Sequence, residues 1–459
     1  MTSLPFGLST APIAFSSVSK WVASFLREKG LRVLVYLDDF LFAHQNPNTL
    51  ERHMRYAVEI LQSMGWCVNL EKSVLRATQE IKFLGIIWNV STNQKTLPKD
   101  KIDRISRDLN QVLETKQWSW ESGTALIGRL GFASLVTPLG RLYTRHMQRA
   151  ARKLSQDRPG KRVAVSSQAI QEARWWAQNI RNPGRIFVPE PTMFVSTDAS
   201  NDGWGIQMSD HLLSGLWTEE QLKWHINRKE LYTVLVALQE SQEVVLGQSI
   251  MVQSDNRTVV SYLRNQGGTK SIALLEMTKE ILVLAQSLNA TIHSFYLPGR
   301  YNSIADCLSR GKALPDWHIK SEITQKIFRK WGVPQIDLFA SDQSKVVPVY
   351  VSIDAKDTQA LFVNAFSRTW NYELAWIFPP PPLVPRVLQH LNKSSGTFLI
   401  VVPRWETVFW RSDLKHRALG APYLIPNLIE NLIDLSTNLP PPKVENLYLE
   451  VWKIRGGRI

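Results

Sequence analysis

Cysteine is nearly absent: 459 residues hold only Cys67 and Cys307. A disulfide framework and a cysteine-ligated metal cluster are therefore excluded, and an intracellular reducing compartment is implied. No apolar run approaches the ~20 residues that span a bilayer, and no basic, apolar, small-residue leader opens the chain. Acid is scarce at the start as well. No aspartate precedes Asp38, and Glu28 is the sole carboxylate before it.

What is present is a globular composition, 44% apolar and 20% charged, with base in excess: 54 Lys and Arg against 40 Asp and Glu, net charge +14. That balance favours a polyanionic partner. The excess is densest over 141–185. There Arg145, Arg149, Arg152, Lys153, Arg158, Lys161, Arg162, Arg174, Arg181 and Arg185 face only Asp157 and Glu172. Contact with a phosphate backbone is the expected use of such a run.

The length allows roughly two to four domains, and the patterning divides the chain into four blocks. Residues 1–96 alternate helix-like and strand-like segments, with helices expected over 14–28 and 49–64 and one strand over 81–88. Residues 97–190 read as helical and basic, and Pro183-Gly184 and Pro189-Glu190-Pro191 mark their end. Residues 191–312 form a second α/β block. A linker at 311–317 leads to a third block, 318–459, punctuated by Pro379-Pro380-Pro381-Pro382 and Pro440-Pro441-Pro442.

Two sets of carboxylates stand out. Asp38-Asp39 sit between two apolar, strand-like runs, as at the bend of a hairpin, where adjacent like charges want a cation. Further on, Asp198 ends one strand-like run and Asp255 another. Glu230 lies near the start of a helix-period segment, and Asp306 lies on a final helix. An α/β sheet gathers such residues at one edge, and two metal ions about 3.5–4 Å apart need about this many oxygens.

The first block resembles a reverse transcriptase. The resemblance rests on Leu4-Pro5-Phe6-Gly7-Leu8 with Phe15, on Tyr36-Leu37-Asp38-Asp39, on Asn69-Leu70-Glu71-Lys72-Ser73 and on Phe83-Leu84-Gly85, in that order. It implies that Pro5, Phe6, Gly7 and Tyr36 support template–primer and nucleotide, that Phe83, Leu84 and Gly85 form the primer grip, and that Asp38 ligates metal with Asp39 beside it. In the family a further essential aspartate lies upstream of the Pro-Phe-Gly segment. None stands there in this sequence, so a chain cut from something longer, without polymerase activity of its own, is expected.

Residues 193–310 resemble a ribonuclease H. The resemblance implies that Asp198, Glu230, Asp255 and Asp306 are catalytic and hold two Mg2+ or Mn2+ ions, and that the substrate is the RNA strand of an RNA–DNA hybrid. Many relatives carry a histidine in the loop before the last helix. Here that loop is Pro298-Gly299-Arg300-Tyr301, with His293 earlier and Arg300 as its substitute.

Gln335–Ser341, Asn364–Trp370, Ile377–Leu383 and Val401–Trp405 resemble the methylase-like domain that trails ribonuclease H in DIRS-type (tyrosine-recombinase) retrotransposons. Pro379-Pro380 is followed by Pro381 rather than an aromatic. Asp337-Leu338-Phe339-Ala340-Ser341 stands where a Gly-x-Gly turn is expected, so a structural or nucleic-acid-positioning role is favoured over methylation. The expected architecture is multidomain α/β: a partial palm, a helical basic thumb or connection, a ribonuclease H-like mixed sheet with helices, and a methylase-like domain. The expected function is metal-dependent cleavage of RNA in hybrids, the alternative being a catalytically silent nucleic-acid-binding remnant. Partners implied are RNA–DNA hybrid, template–primer, and an upstream polymerase portion or other element-encoded proteins, with no membrane.

Overall fold

The computed structural model describes residues 8–208 and 211–458. Pro5, Phe6 and Gly7 lie outside the described residues. Two compact units emerge: 1–140 with 156–165 and 173–187, and 141–155 with 166–172 and 188–459.

In the first unit, α1 (Ala11–Glu28) starts with Pro12 in its first turn, where a missing N–H costs nothing. Its stripe of Val22, Ala23 and Leu26 is fully buried against Leu31, Val33, Ala57 and Leu61. Strands β1 (Val33–Tyr36) and β2 (Asp39–Phe42) pair antiparallel, with Tyr36 opposite Asp39 and Leu37 turning at φ 53°. Helix α2 (Pro47–Ser63) is capped by Asn46, whose side chain accepts the Thr49 N–H at 3.0 Å.

The strand expected over 81–88 is instead a hairpin, β3 (Glu80–Phe83) and β4 (Ile86–Asn89). Leu84 and Gly85 take φ of 51° and 74°, the paired left-handed turn whose twist suits a two-residue connection. An added Cβ on Gly85 would stand 2.7 Å from Lys101 Nζ, so the glycine also permits close approach. Strand β5 (Gln94–Thr96) extends the sheet. Helix α3 (Lys99–Thr115) buries Ile105, Leu109 and Val112 on one stripe and packs on α4 (Trp120–Ala133). Strands β6 (Gln117–Trp118) and β7 (Val163–Ala164) pair, and β8 (Gly184–Arg185) joins β5; within the basic run, α5 (Arg145–Ala151) belongs to the second unit and α6 (Ser167–Asn179) is divided between the two.

The second unit holds two five-stranded sheets. The first contains β9 (Met193–Ala199), β10 (Gly203–Met208), β11 (His211–Leu216), β12 (Ser249–Ser254) and β13 (Thr291–Tyr296), in the order β11-β10-β9-β12-β13. β9, β12 and β13 run parallel, and β10 and β11 antiparallel. Every residue of β9 is buried, as a central strand covered on both faces demands. The short α7 (Glu219–Leu222) precedes α8 (Ile226–Glu240), and α9 (Gln242–Val245), α10 (Arg257–Arg264), α11 (Ile272–Ser287) and α12 (Ser303–Ser309) complete this layer.

The stretch expected as a linker ends inside a strand: β14 (Trp317–Ile319) pairs with β19 (Leu432–Asp434), and the Asp316 N–H donates to Asp434 Oδ1 at 3.1 Å. After α13 (Ser321–Trp331) comes the second sheet. It contains β15 (Ile336–Asp337), β16 (Asn371–Ile377), β17 (Ser395–Pro403), β18 (Tyr423–Leu424) and β20 (Leu449–Arg455), ordered β15-β16-β17-β20-β18 with the first three parallel. Helices α14 (Val384–Leu391), α15 (Arg411–Arg417) and α16 (Leu428–Asn431) flank it. One apolar core joins Leu297 and Tyr301 of the first sheet's loops to Ile319 of β14, Trp376 and Val401 of the second sheet, and Val444. Phe295 packs on Phe409 with ring centroids 4.9 Å apart, and Gln253 Nε2 donates to the Pro382 carbonyl at 3.0 Å. No helix among the described residues is long and apolar enough to cross a membrane.

Candidate metal centre

Parallel pairing of β9 and β12 sets Ser254 beside Thr197. The next residue on each strand is an aspartate, so Asp198 and Asp255 emerge side by side at the carboxyl edge, where α/β sheets place their sites. Glu230 reaches the same point from the first turns of α8, which packs across β9 and β10. One carboxylate oxygen from each of Asp198, Glu230 and Asp255 lies within 4.8 Å of the others.

These carboxylates are short of positive charge. Burial pushes the Asp198 carboxyl up to about 6; the Ser309 hydroxyl pulls the other way, and the charges of Asp255 and Asp306 add to the rise. Glu230 is pushed well above the usual range, first by burial and then by Asp198 and Asp255. Asp255 rises through burial and the Asp306 charge, partly offset by Arg310 and Lys443. Glu230 Oε2 is buried without a hydrogen-bond partner among the described residues. A divalent cation would relieve all of this, and an all-carboxylate oxygen set suits hard ions such as Mg2+ or Mn2+.

Asp306 stands at the rim rather than in the trio. Its Oδ1 accepts from Arg310 Nε at 2.8 Å, and its side chain is 39% exposed. Helix α12 reaches this position because Gly205, paired with Asp198 across the sheet, has no side chain. A Cβ there would stand 2.3 Å from the Ala305 carbonyl oxygen and 2.6 Å from the Ser309 nitrogen. The helix is then tied down by Ser200 Oγ donating to the Ser309 carbonyl at 2.7 Å and Asn302 Nδ2 to the Thr197 carbonyl at 2.9 Å.

Ser309 is a residue that sequence reading missed. Its hydroxyl donates to Asp198 Oδ2 at 2.6 Å. Only its place one turn after Asp306 on α12 could have suggested it. Partners that orient a metal ligand commonly matter to affinity, so Ser309→Ala is expected to weaken Mg2+ or Mn2+ binding about tenfold. Titration calorimetry is the measurement, and wild-type affinity in the variant would count against this role. Lys229, also missed, is buried, and its Nζ donates to the Asn201 carbonyl at 3.2 Å, bracing the turn after Asp198.

Gly299 lies against the trio: a Cβ there would be 2.6 Å from Asp255 Oδ2. Arg300 is exposed, its guanidinium 4.9 Å from the Tyr301 ring centroid. His293 sits further back on β13, opposite Met251, with Nε2 at 3.1 Å from the Pro189 carbonyl.

The hairpin carboxylates Asp38 and Asp39 are exposed, as is Tyr36. Among the described residues no third carboxylate joins them in a metal-holding group. Phe83 is half-buried, and Leu84 and Gly85 occupy the β3–β4 turn. Part of the basic run makes intramolecular contacts that its composition does not reveal. Arg145 Nε donates to the Gln266 carbonyl at 3.3 Å, Arg149 Nη1 to the Thr269 carbonyl at 2.6 Å, and Arg152 Nη2 to Thr269 Oγ1 at 2.6 Å. These three hold the 265–270 loop. In the second sheet, Asp337 is pushed up to about 7 by burial and accepts the Phe339 and Val346 N–H groups, each at 3.2 Å, which occupies it with its own loop.

Residues 1–88 match the family described as reverse transcriptase (RNA-dependent DNA polymerase), and residues 188–282 the RNase H-like domain found in reverse transcriptase. The second match includes Asp198, Glu230 and Asp255 and ends before Asp306. A putative enzymatic polyprotein of Cassava vein mosaic virus is 23% identical over 326 residues, 67% of this chain and 47% of that protein. The Pol polyprotein from transposon gypsy of Drosophila melanogaster is 22% identical over 318 residues, 67% of this chain and 29% of that protein. The chain thus spans less than half the length of these relatives. Among solved structures, a foamy viral protease–reverse transcriptase in complex with double-stranded DNA aligns at 19% identity and TM-score 0.36, covering 64% of this chain and 60% of that one. The chain carries a reverse transcriptase segment followed by a ribonuclease H-like domain, homologous to those of retroelement and viral polyproteins.

Proposed function

We propose that this chain is the reverse transcriptase–ribonuclease H portion of a DIRS-type retroelement polyprotein, and that its activity is metal-dependent cleavage of the RNA strand in RNA–DNA hybrids. The observation that carries this reading is the Asp198–Glu230–Asp255 trio, whose oxygens converge within 4.8 Å while burial drives their proton affinities up. Asp198, Glu230 and Asp255 would hold two Mg2+ or Mn2+ ions, with Asp306 available from the rim. Bound there, the ions would activate water and stabilise the leaving 3′-oxygen. The chain's own groups prepare the place. Ser309 orients Asp198, Gly299 lets the loop close on Asp255, and Lys229 fixes the turn after β9. The remaining exposed arginines of 141–185 would track the duplex backbone.

The test is incubation of the full chain with an end-labelled hybrid in Mg2+ or Mn2+. RNA-strand cleavage that chelator abolishes is expected, and an intact RNA strand under both metals overturns the reading. Polymerisation is not proposed for this chain, because Asp38 and Asp39 are exposed and gather no third carboxylate among the described residues. Primer extension with Mg2+ and nucleotides is expected to give no product, and robust incorporation would refute that.

A further inference from the structure

We infer that a cavity between β10 and the loops of the second sheet binds a flat, uncharged fused ring that carries one N–H donor and one acceptor on its edge, as a purine base does. The inference stands apart from the cleavage reading: none of Asp198, Glu230, Asp255 and Asp306 lines this cavity.

Its place follows from strand register. Ser196 of β9 lies opposite Gln207 of β10 on one side and Gln253 of β12 on the other. Residues opposite one another project from the same face of a sheet, so the two glutamines share one. Gln253 Nε2 donates from that face to the Pro382 carbonyl at 3.0 Å, which fixes the proline loop after β16. Gln207 has no such tie. It is 3% exposed, and its Oε1 is buried and accepts no hydrogen bond among the described residues. It lines a cavity of about 300 Å3, together with the loops after β15 and β16 and with Ser303 and Ile304 at the start of α12.

A second unmet group lines the same cavity. Trp317 Nε1 is buried, and its N–H donates to nothing among the described residues. Other polar groups on the wall are engaged. Ser341 Oγ donates to Asp316 Oδ2 at 2.7 Å, and Asp354 Oδ1 accepts the Lys356 N–H at 2.8 Å. A buried polar group left unmet costs free energy. The molecule that suits this cavity therefore brings a donor for Gln207 and an acceptor for Trp317.

The walls set the rest of its chemistry. Phe339 and Phe366 meet edge to face, ring centroids 5.5 Å apart, and the Arg386 guanidinium lies 4.0 Å from the Phe366 centroid. Phe378 and the prolines after it add rigid apolar surface. Such walls hold a flat ring by its faces and disfavour a bare charge. A cavity of ~150 Å3 takes benzene, so this one has room for two fused rings.

Calorimetry on the full chain, with chelator and without hybrid, tests this with three probes. Hypoxanthine carries both a donor and an acceptor, indole only the donor, and quinoline only the acceptor. Hypoxanthine is expected to bind about fivefold more tightly than either. Gln207→Met should weaken hypoxanthine about fivefold and leave quinoline unchanged. Trp317→Phe should weaken it by a similar factor and leave indole unchanged. Equal binding of all three overturns the inference, because it shows an apolar cavity that reads no edge. No binding at millimolar hypoxanthine overturns it too, and leaves the cavity to water. Melting temperature guards the variants. Removing an unmet acceptor keeps Gln207→Met at or above wild type. A Gln207→Met protein that melts well below wild type has lost a bond the amide already made, and the inference falls. A short single strand of deoxyinosine, added as competitor, tells a base on a strand from a free one.

Discussion

Asp198→Asn will lower hybrid cleavage by at least ~10³-fold and, at neutral pH without metal, will make the protein more stable. The two effects share one cause. In the metal-free chain the Asp198 carboxyl is pushed from 3.8 to about 6, mainly by burial. The folded state thus holds a proton more tightly than the unfolded one. The stability this brings is full below the ordinary carboxylate range and is lost as pH rises toward 6 and beyond. A shift of about two units corresponds to roughly 3 kcal/mol. Glu230 and Asp255 act in the same direction. So do Glu172 and Asp337, each at about 7, though neither belongs to the trio.

Melting temperature measured from pH 4 to 8 should therefore fall in the wild type and fall less in Asp198→Asn. Millimolar Mg2+ or Mn2+ should restore the wild type above pH 6 and leave the variant nearly unmoved, because binding to the folded state alone is what stabilises. A wild type that melts at the same temperature with and without metal, at pH 7.5, would contradict the site itself.

Gly205→Ala, a single methyl group, should cost about 3 kcal/mol and at least ~100-fold in cleavage. The methyl would arrive 2.3 Å from the Ala305 carbonyl oxygen and 2.6 Å from the Ser309 nitrogen. Both are backbone atoms of α12, so no side-chain rotation can clear them, and the helix must lift by about an ångström. Lifting it withdraws the Ser309 hydroxyl from Asp198 and carries Asp306 outward. Misplacement on that scale is enough to cost two orders of magnitude in a site built on alignment. Denaturant unfolding and cleavage kinetics on the same preparation provide the check. Wild-type values for both would mean that α12 does not depend on this contact.

Much of this site was legible in the chain. Asp198 and Asp255 each follow a β-rich apolar run, and Glu230 opens a helix-period segment, so an α/β reading already directs all three to one edge. What was not legible depends on how closely elements approach. Gly205 reads as an ordinary strand glycine until α12 lies on it, and Ser309 reads as a surface serine of a short helix. The 81–88 stretch looks like one strand because Phe83, Ile86, Ile87 and Trp88 are continuous in character; only the left-handed pair Leu84-Gly85 folds it back. Arg145, Arg149 and Arg152 carry a charge pattern suited to nucleic acid. Composition does not reveal that the acceptors are carbonyl and hydroxyl groups of the 265–270 loop, more than a hundred residues away.

The core that runs from Leu297 and Tyr301 into Ile319, Trp376 and Val444 leaves no seam between the nuclease-like sheet and the sheet that follows it. Cutting the chain after Gly311 would bare Phe295, Leu297 and Tyr301 and leave Gln253 without the Pro382 carbonyl. The first sheet keeps its own core around Val195, Ile206, Leu231 and Ile250, and its neighbour covers the edge formed by Leu297 and Tyr301. The C-terminal block thus covers apolar surface of the ribonuclease H-like sheet, a packing role that requires no chemistry of its own.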